Sequence, residues 1–266
     1  MTLPHHPLPD RSLSLTTAND SSSSSSSSSD NNRTTTTITY AETRDPLDLR
    51  EISHLVTISM WRTRLNQMIL FSSQQQSNLD DSLARDADER LATAELVVKA
   101  VRRSRRDGRD IIVGALVAEE HVDDAYPAPY YDHGSSAPQH RELMRQIGAA
   151  RAAHCGIVPG RGFWMITDIA VNASFRGRGV GQGLLAAATA RADRRGAGLL
   201  AVVHEDRHAA WLKRCGGFVE SPHVPLHGRL CVRVVGVDDD NDDDDGGGMD
   251  PADYEWFWVL WRPPHP

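Results

Sequence analysis

The 266-residue chain holds only three cysteines, Cys155, Cys215 and Cys231, and no C-x-x-C pair. That scarcity excludes a disulfide scaffold and the usual cysteine-pair zinc sites, and it fits a reducing compartment. Long apolar runs are missing too. The longest, Trp256 to Trp261, is far too short to cross a bilayer. The segment Met1 to Leu15 is interrupted by Pro4, Pro7 and Pro9 and offers no apolar stretch of signal-peptide length. A cytoplasmic protein with no membrane partner is expected, with the nucleus left open as its alternative.

An excess of charge is also missing from most of the chain. The totals are 29 Lys+Arg against 36 Asp+Glu, a formal net charge of −7. Asp238 to Asp240 and Asp242 to Asp245 account for seven of the acids, and without them the remainder is 29 against 29. The balance elsewhere is neutral, which argues against a generally basic nucleic-acid binder. No nucleic-acid partner is expected.

What is present divides the chain. Residues 1–34 contain the nine-serine run Ser21 to Ser29 and read as a disordered, low-complexity tail. Residues 238–250, the aspartate run followed by Gly246 to Gly248, read as a disordered acidic loop. Residues 35–266 otherwise suit one domain, with 122–162 as a proline-bearing insertion. Strands are expected at Thr35–Ala41, Ala94–Val101, Ile111–Ala118, Phe163–Val171, Leu199–Val203, Leu230–Val237 and Tyr254–Trp261. Helices are expected at Asp48–Phe71, Asp80–Ala92, His140–Ala153, Gly181–Arg195 and Ala209–Cys215.

The most informative stretch is Arg176-Gly177-Arg178-Gly179-Val180-Gly181-Gln182-Gly183, between a strand and a helix. Glycines at 177, 179, 181 and 183 allow close backbone approach and positive φ. The N–H groups opening the helix, its dipole, and Arg176 and Arg178 all favour an anion of pyrophosphate size. The bland alternative is a flexible turn capped by glycines. A P-loop needs Gly-Lys-Ser/Thr, which is absent. A dinucleotide fingerprint, and with it a nicotinamide oxidoreductase, fits Gly181-Gln182-Gly183-Leu184-Leu185-Ala186 loosely, with Glu205 in the ribose position. The strand ends too far upstream for that fingerprint's tight turn.

A third reading rests on Ile166-Thr167-Asp168-Ile169-Ala170-Val171-Asn172-Ala173-Ser174-Phe175 followed by Arg176-x-x-Gly179-x-Gly181. This resembles the acetyl-CoA signature of the GCN5-related N-acetyltransferase (GNAT) superfamily, Q/R-x-x-G-x-G/A after a strand ending in a Leu-Ala-Val-like triplet. The likeness continues through the following helix and strand to Gly217-Phe218, spanning residues 163–218. The insertion and the serine-rich tail resemble those of fungal members.

The resemblance implies an α/β (α+β) fold, a mixed, mostly antiparallel sheet flanked by helices. It implies acetyl-CoA as co-substrate, wedged between two splaying parallel strands, Phe163–Val171 and Leu199–Val203, with no metal. The backbone of Ile169, Ala170 and Val171 would pair with the pantetheine. Arg176 and the N–H groups of Gly177, Arg178, Gly179, Val180, Gly181 and Gln182 would hold the pyrophosphate. The implied reaction is direct attack by a primary amine, of a small molecule or a peptide, on the thioester carbonyl. Asp168 is the candidate base, provided a bulge turns it to the cleft, and a structural hydrogen-bonding role is its alternative. Glu119 and Glu120 are further candidates, otherwise a solvated strand end. The superfamily often places Asn and Tyr where this chain has Asp206 and Lys213. Lys213 could offset thiolate charge, or it could be an ordinary exposed helix residue. A non-catalytic acyl-CoA-binding module is therefore a second reading.

Two other clusters invite chemistry. His204-Glu205-Asp206-Arg207-His208 matches H-E-x-x-H, which on one helix face would hold hydrolytic zinc. A strand that stops at His204 would break that geometry. Arginines 102, 103, 105, 106 and 109 form a basic cluster, read as a solvated hairpin turn rather than a nucleic-acid or phosphate contact.

Overall fold

The computed structural model describes residues 37–60, 79–104, 108–121, 138–155, 163–233 and 254–264. The expected tail, the acidic loop, the end of the expected first helix beyond Met60 and the non-helical parts of the insertion lie outside those residues.

The chain begins with β1 (Ile38–Glu42), α1 (Pro46–Met60) and α2 (Leu79–Thr93). A hairpin follows, β2 (Leu96–Arg103) and β3 (Asp110–His121), then α3 (Pro138–Cys155). Next come β4 (Phe163–Val171), a 3₁₀ turn (Ala173–Phe175), α4 (Val180–Arg195), β5 (Gly198–Val203) and α5 (Asp206–Gly216). The short β6 (Val219–Glu220), which the sequence did not suggest, precedes β7 (Arg229–Arg233) and β8 (Tyr254–Arg262). Strand order is β1-β2-β3-β4-β5-β8-β6, with β7 also paired to β8. Every pair is antiparallel except β4 with β5. The sheet is the mixed, mostly antiparallel one expected.

Both faces of the sheet are covered, and strand alternation decides which residues go where. On one face α4 and α5 lay Leu184, Leu185 and Leu212 over Val98, Leu116, Trp164 and Leu199, all buried. On the other, Ile52 and Val56 of α1 and Leu91 of α2 pack on Val97, Val117 and Ala170. Helix α3 continues that second face, with Ile147 and Ala150 on Phe163, Met165, Leu200 and Val259. Each fully buried leucine contributes about 2 kcal/mol relative to exposure. The helix within the expected insertion is thus part of the core, although its flanking segments are not described.

Candidate active site

Parallel strands β4 and β5 pair only from Phe163 opposite Gly198 to Ile166 opposite Ala201. Beyond that point β4 continues to Val171, while β5 follows β8 as far as Val203 opposite Trp258. The two strands part, and Thr167 to Val171 present an open edge to the gap.

Two local features decide what lines it. Val117 pairs with Asp168 and Ala118 with Ile166, so Thr167 is the extra residue of a β-bulge. The bulge shifts the alternation: Trp164 and Ile166 before it, and Ile169 and Val171 after it, all face α4. Asp168 and Ala170 turn instead to the face of α1 and α2. Second, the Asn172 N–H donates to the Val113 carbonyl of β3 at 3.0 Å. Alternation then turns the N–H and C=O of Ile169 and Val171 away from β3 and into the gap.

The chain leaves β4 through Asn172, whose side chain accepts from the Ser174 N–H at 3.0 Å and so caps the 3₁₀ turn. Arg176 Nε donates to the Val171 carbonyl at 3.2 Å, tying the glycine turn to the strand end. Gly177 and Gly179 take φ of +72° and +79°, the left-handed region that favours glycine. The Gly183 N–H bonds the Gly179 carbonyl at 2.9 Å, so the N–H groups of Val180, Gly181 and Gln182 precede the first intrahelical bond of α4. They and the helix dipole form an anion site at the mouth of the gap. Exposed Arg178 lies beside it, its Cζ 5.5 Å from the Phe175 ring centroid. Arg102 of β2 reaches the same ring at 5.4 Å. This arginine of the hairpin cluster stands next to the glycine turn, because β2 and the residues after β4 end on the same side of the sheet. Its sequence neighbours gave no sign of that.

Of the two candidate catalytic side chains, Asp168 forms an ion pair with Arg90 of α2 at 3.3 Å, both nearly buried. Lys213 donates to Glu220 Oε1 at 2.7 Å and lies 4.5 Å from the Trp258 centroid. The Lys213 hydrogen bond holds the Glu220 carboxyl below its ordinary value. Asp206, the first residue of α5, accepts from Trp258 Nε1 at 2.7 Å. Because Trp258 is opposite Val203, Asp206 and Lys213 gather at the open end of β5, with Asp206 and Lys213 both tied to protein partners.

Two expectations need correcting. Glu119 is not a solvated strand end: it is 6% exposed and faces Met165 across the β3–β4 ladder. Glu120 alone is exposed there. The H-E-x-x-H match fails as a helical zinc motif. His204 follows the last residue of β5, Glu205 is the extended residue before α5, and His208 lies in that helix's first turn. The two imidazoles do not share a helix face, and no cluster of three metal-binding side chains occurs among the described residues. The dinucleotide alternative loses its premise as well, since it needs successive parallel βαβ units and the sheet has one parallel pair among the described residues.

Among the described residues the sheet thus opens at its parallel strand pair, and the cleft is bordered by an unpaired strand edge, a glycine turn and the N–H groups of a helix N-terminus. Residues 110–216 match the family described as the acetyltransferase (GNAT) family. That segment runs from the first residue of β3 to the last of α5, takes in the open strand edge and the glycine turn, and is similar to the acetyltransferases of that family. No curated protein matches the chain. Among solved structures, it is similar to arylalkylamine N-acetyltransferase 7 of the yellow fever mosquito Aedes aegypti, with a TM-score of 0.56 and 12% identity over 84% of this chain and 87% of the other. Arylalkylamine N-acetyltransferase 2 of Aedes aegypti gives 0.55 and 14% over 86% and 99%. The polyamine N-acetyltransferase of Drosophila melanogaster, which forms N-acetylagmatine, gives 0.51 and 16% over 85% and 99%. At these identities the likeness is one of fold.

Proposed function

We propose that the protein transfers the acetyl group of acetyl-CoA directly to a primary amine of a small molecule or a peptide, in a reducing, cytoplasmic setting, within one catalytic domain spanning residues 35–266. The observation that carries this reading is the open β4 edge, where the Ile169 N–H and C=O and the Val171 N–H face the gap and lead straight into the glycine turn, the Val171 carbonyl being held by Arg176. The pantetheine arm completes the sheet along that edge, and the N–H groups of residues 177–182, with Arg176, take the pyrophosphate. This placement holds the thioester where β4 and β5 part.

The amine nitrogen attacks the carbonyl carbon, the C–S bond breaks, and the thiolate leaves with the bonding pair. An N–H of the open edge at Ile169 faces the developing oxyanion. Asp168, turned by the bulge toward α1 and α2, takes the proton lost by the amine, with Arg90 fixing its carboxylate. The Lys213 ammonium, steadied by Glu220 and Trp258, offsets the thiolate charge and returns a proton to sulfur. Asp206, at the start of α5, borders the donor near the same end.

Purified protein with acetyl-CoA and a panel containing arylalkylamines, agmatine, polyamines, amino sugars and peptides is expected to release thiol in step with acetylated product for at least one acceptor. Initial-rate lines that intersect, and no acetylated enzyme by mass spectrometry, are expected for direct attack. Parallel lines with a trapped acetyl-enzyme would sink that mechanism. The engagement of Lys213 by Glu220 favours a second reading, a module that binds acyl-CoA without turnover. It predicts a CoA-dependent rise in Tm and no thiol release with any acceptor.

A further inference from the structure

The glycine turn carries more positive charge than its motif needs. Phe175 has two guanidinium groups against its ring, Arg178 from the turn and Arg102 from β2, with Cζ atoms 5.5 and 5.4 Å from the centroid. Neither arginine forms an ion pair among the described residues, and Arg102 Nε is buried there without a hydrogen-bond partner. Other arginines near α4 are compensated: Arg191 and Arg194 lie against Glu42, Arg195 against Glu95, and Arg262 against Asp193. Two uncompensated guanidinium groups around one ring, beside the positive end of a helix, repel one another until an anion joins them. A guanidinium N–H left without an acceptor is likewise costly, and a phosphate oxygen is the acceptor it fits.

Position indicates which phosphate. In the order β2-β3-β4-β5, the gap lies on the β5 side of β4, whereas Arg102 lies two strands away on the opposite side. At about 4.8 Å per strand that is roughly 10 Å, on the far rim of the turn. A donor whose thioester arm fills the gap and whose pyrophosphate sits on the turn has one anionic group left, the phosphate on its ribose.

We infer that Arg102 and Arg178, spaced by Phe175, bind the 3′-phosphate of the donor and make the site discriminate CoA from 3′-dephospho-CoA. The assignment rests on the donor reading given under Proposed function. It is tested by titrating CoA and 3′-dephospho-CoA into the full-length protein and its Arg102→Met, Arg102→Lys and Arg178→Met variants. The wild type is expected to prefer CoA by about tenfold or more, the effect of one or two charge-assisted hydrogen bonds. Arg102→Met is expected to lose most of that preference by weakening CoA alone, and Arg102→Lys to keep part of it. Unaltered binding of 3′-dephospho-CoA serves as the check that the variant is folded. A wild type without preference, an Arg102→Met variant that keeps it, or equal weakening of both ligands overturns the assignment. A wild type that binds neither ligand overturns the donor reading itself, and this one with it.

Discussion

Gly179 and Gly183 are four positions apart and are glycine for opposite reasons. At Gly179 φ is +79° and a Cβ would meet nothing within 4 Å, so only the backbone conformation demands glycine. At Gly183 a Cβ would stand 2.1 Å from Tyr40 Cζ, so the demand is close approach between α4 and β1. Gly179→Ala is expected to cost about 1–2 kcal/mol through the left-handed conformation and, by re-aiming the N–H groups of residues 180–182, to weaken CoA binding. Gly183→Ala is expected to cost about 1–3 kcal/mol by overpacking, yet to leave CoA affinity of the folded fraction nearly unchanged. Thermal melts paired with CoA titrations check both, and a Gly183→Ala protein with normal Tm and lost affinity would contradict the division. Asp168 poses a similar choice between roles. Asp168→Asn keeps the shape beside Arg90 and removes the charge. A base predicts a fall in kcat of about 10²-fold or more, with KM for acetyl-CoA little changed. A purely structural partner of Arg90 predicts a lower Tm with kcat intact.

At the scale of elements, the hydrophobic pattern and the glycine turn made most of the fold legible. Strand β4 runs over the expected Phe163–Val171, because an apolar run flanked by polar turns admits little else. The bulge at Thr167 was not legible, since an extra residue in a ladder depends on the partner strand and leaves no mark on local alternation. The Arg90–Asp168 pair was hidden for the same kind of reason, joining a helix and a strand far apart in sequence. Helix α3 was foreseen, but its role was not: it buries His154, whose Nδ1 lies 2.7 Å from the Ala150 carbonyl and whose Nε2 lies 3.1 Å from Ser221 Oγ. Nδ1 donates to that carbonyl, which leaves Nε2 to accept from the serine hydroxyl. Burial holds the imidazole below its ordinary 6.5, opposed by the Ala150 carbonyl and reinforced by His223. The unfolded chain therefore takes up a proton at His154 before the folded one does, so stability is lost as pH falls below about 6.5. His208, also lowered by burial, acts with the same sign. Wild-type Tm is expected to drop between pH 7.5 and 5.5, and a His154→Gln variant, less stable at pH 7.5, to drop by less. An equal drop in both proteins would remove His154 from this account.

For the whole molecule, the net charge of −7 is a poor guide to its ligands. The acids that produce it are bunched at 238–245, in the connection between β7 and β8, whose described ends are Arg233 and Tyr254. The glycine turn follows β4, and β5 and β8 stand between β4 and β7 in the sheet. At about 4.8 Å per strand, β7 stands roughly 14 Å from β4, and the aspartates themselves lie outside the described residues. In the proposed donor site the charges that matter are those at the turn, Arg176 and Arg178 from the motif and Arg102 from β2, and sequence order alone connected only the first two. Replacing the seven aspartates of the run with asparagine brings the formal charge from −7 to zero while keeping the length of the connection. If the donor responds to the local field, its Kd at about 150 mM salt should move by no more than about twofold, and CoA affinity should fall with added salt alike in both proteins. A several-fold gain in affinity on neutralising the run would mean that the aspartates compete for the arginines of the turn, and the electrostatics of the site would then have to be rebuilt around them.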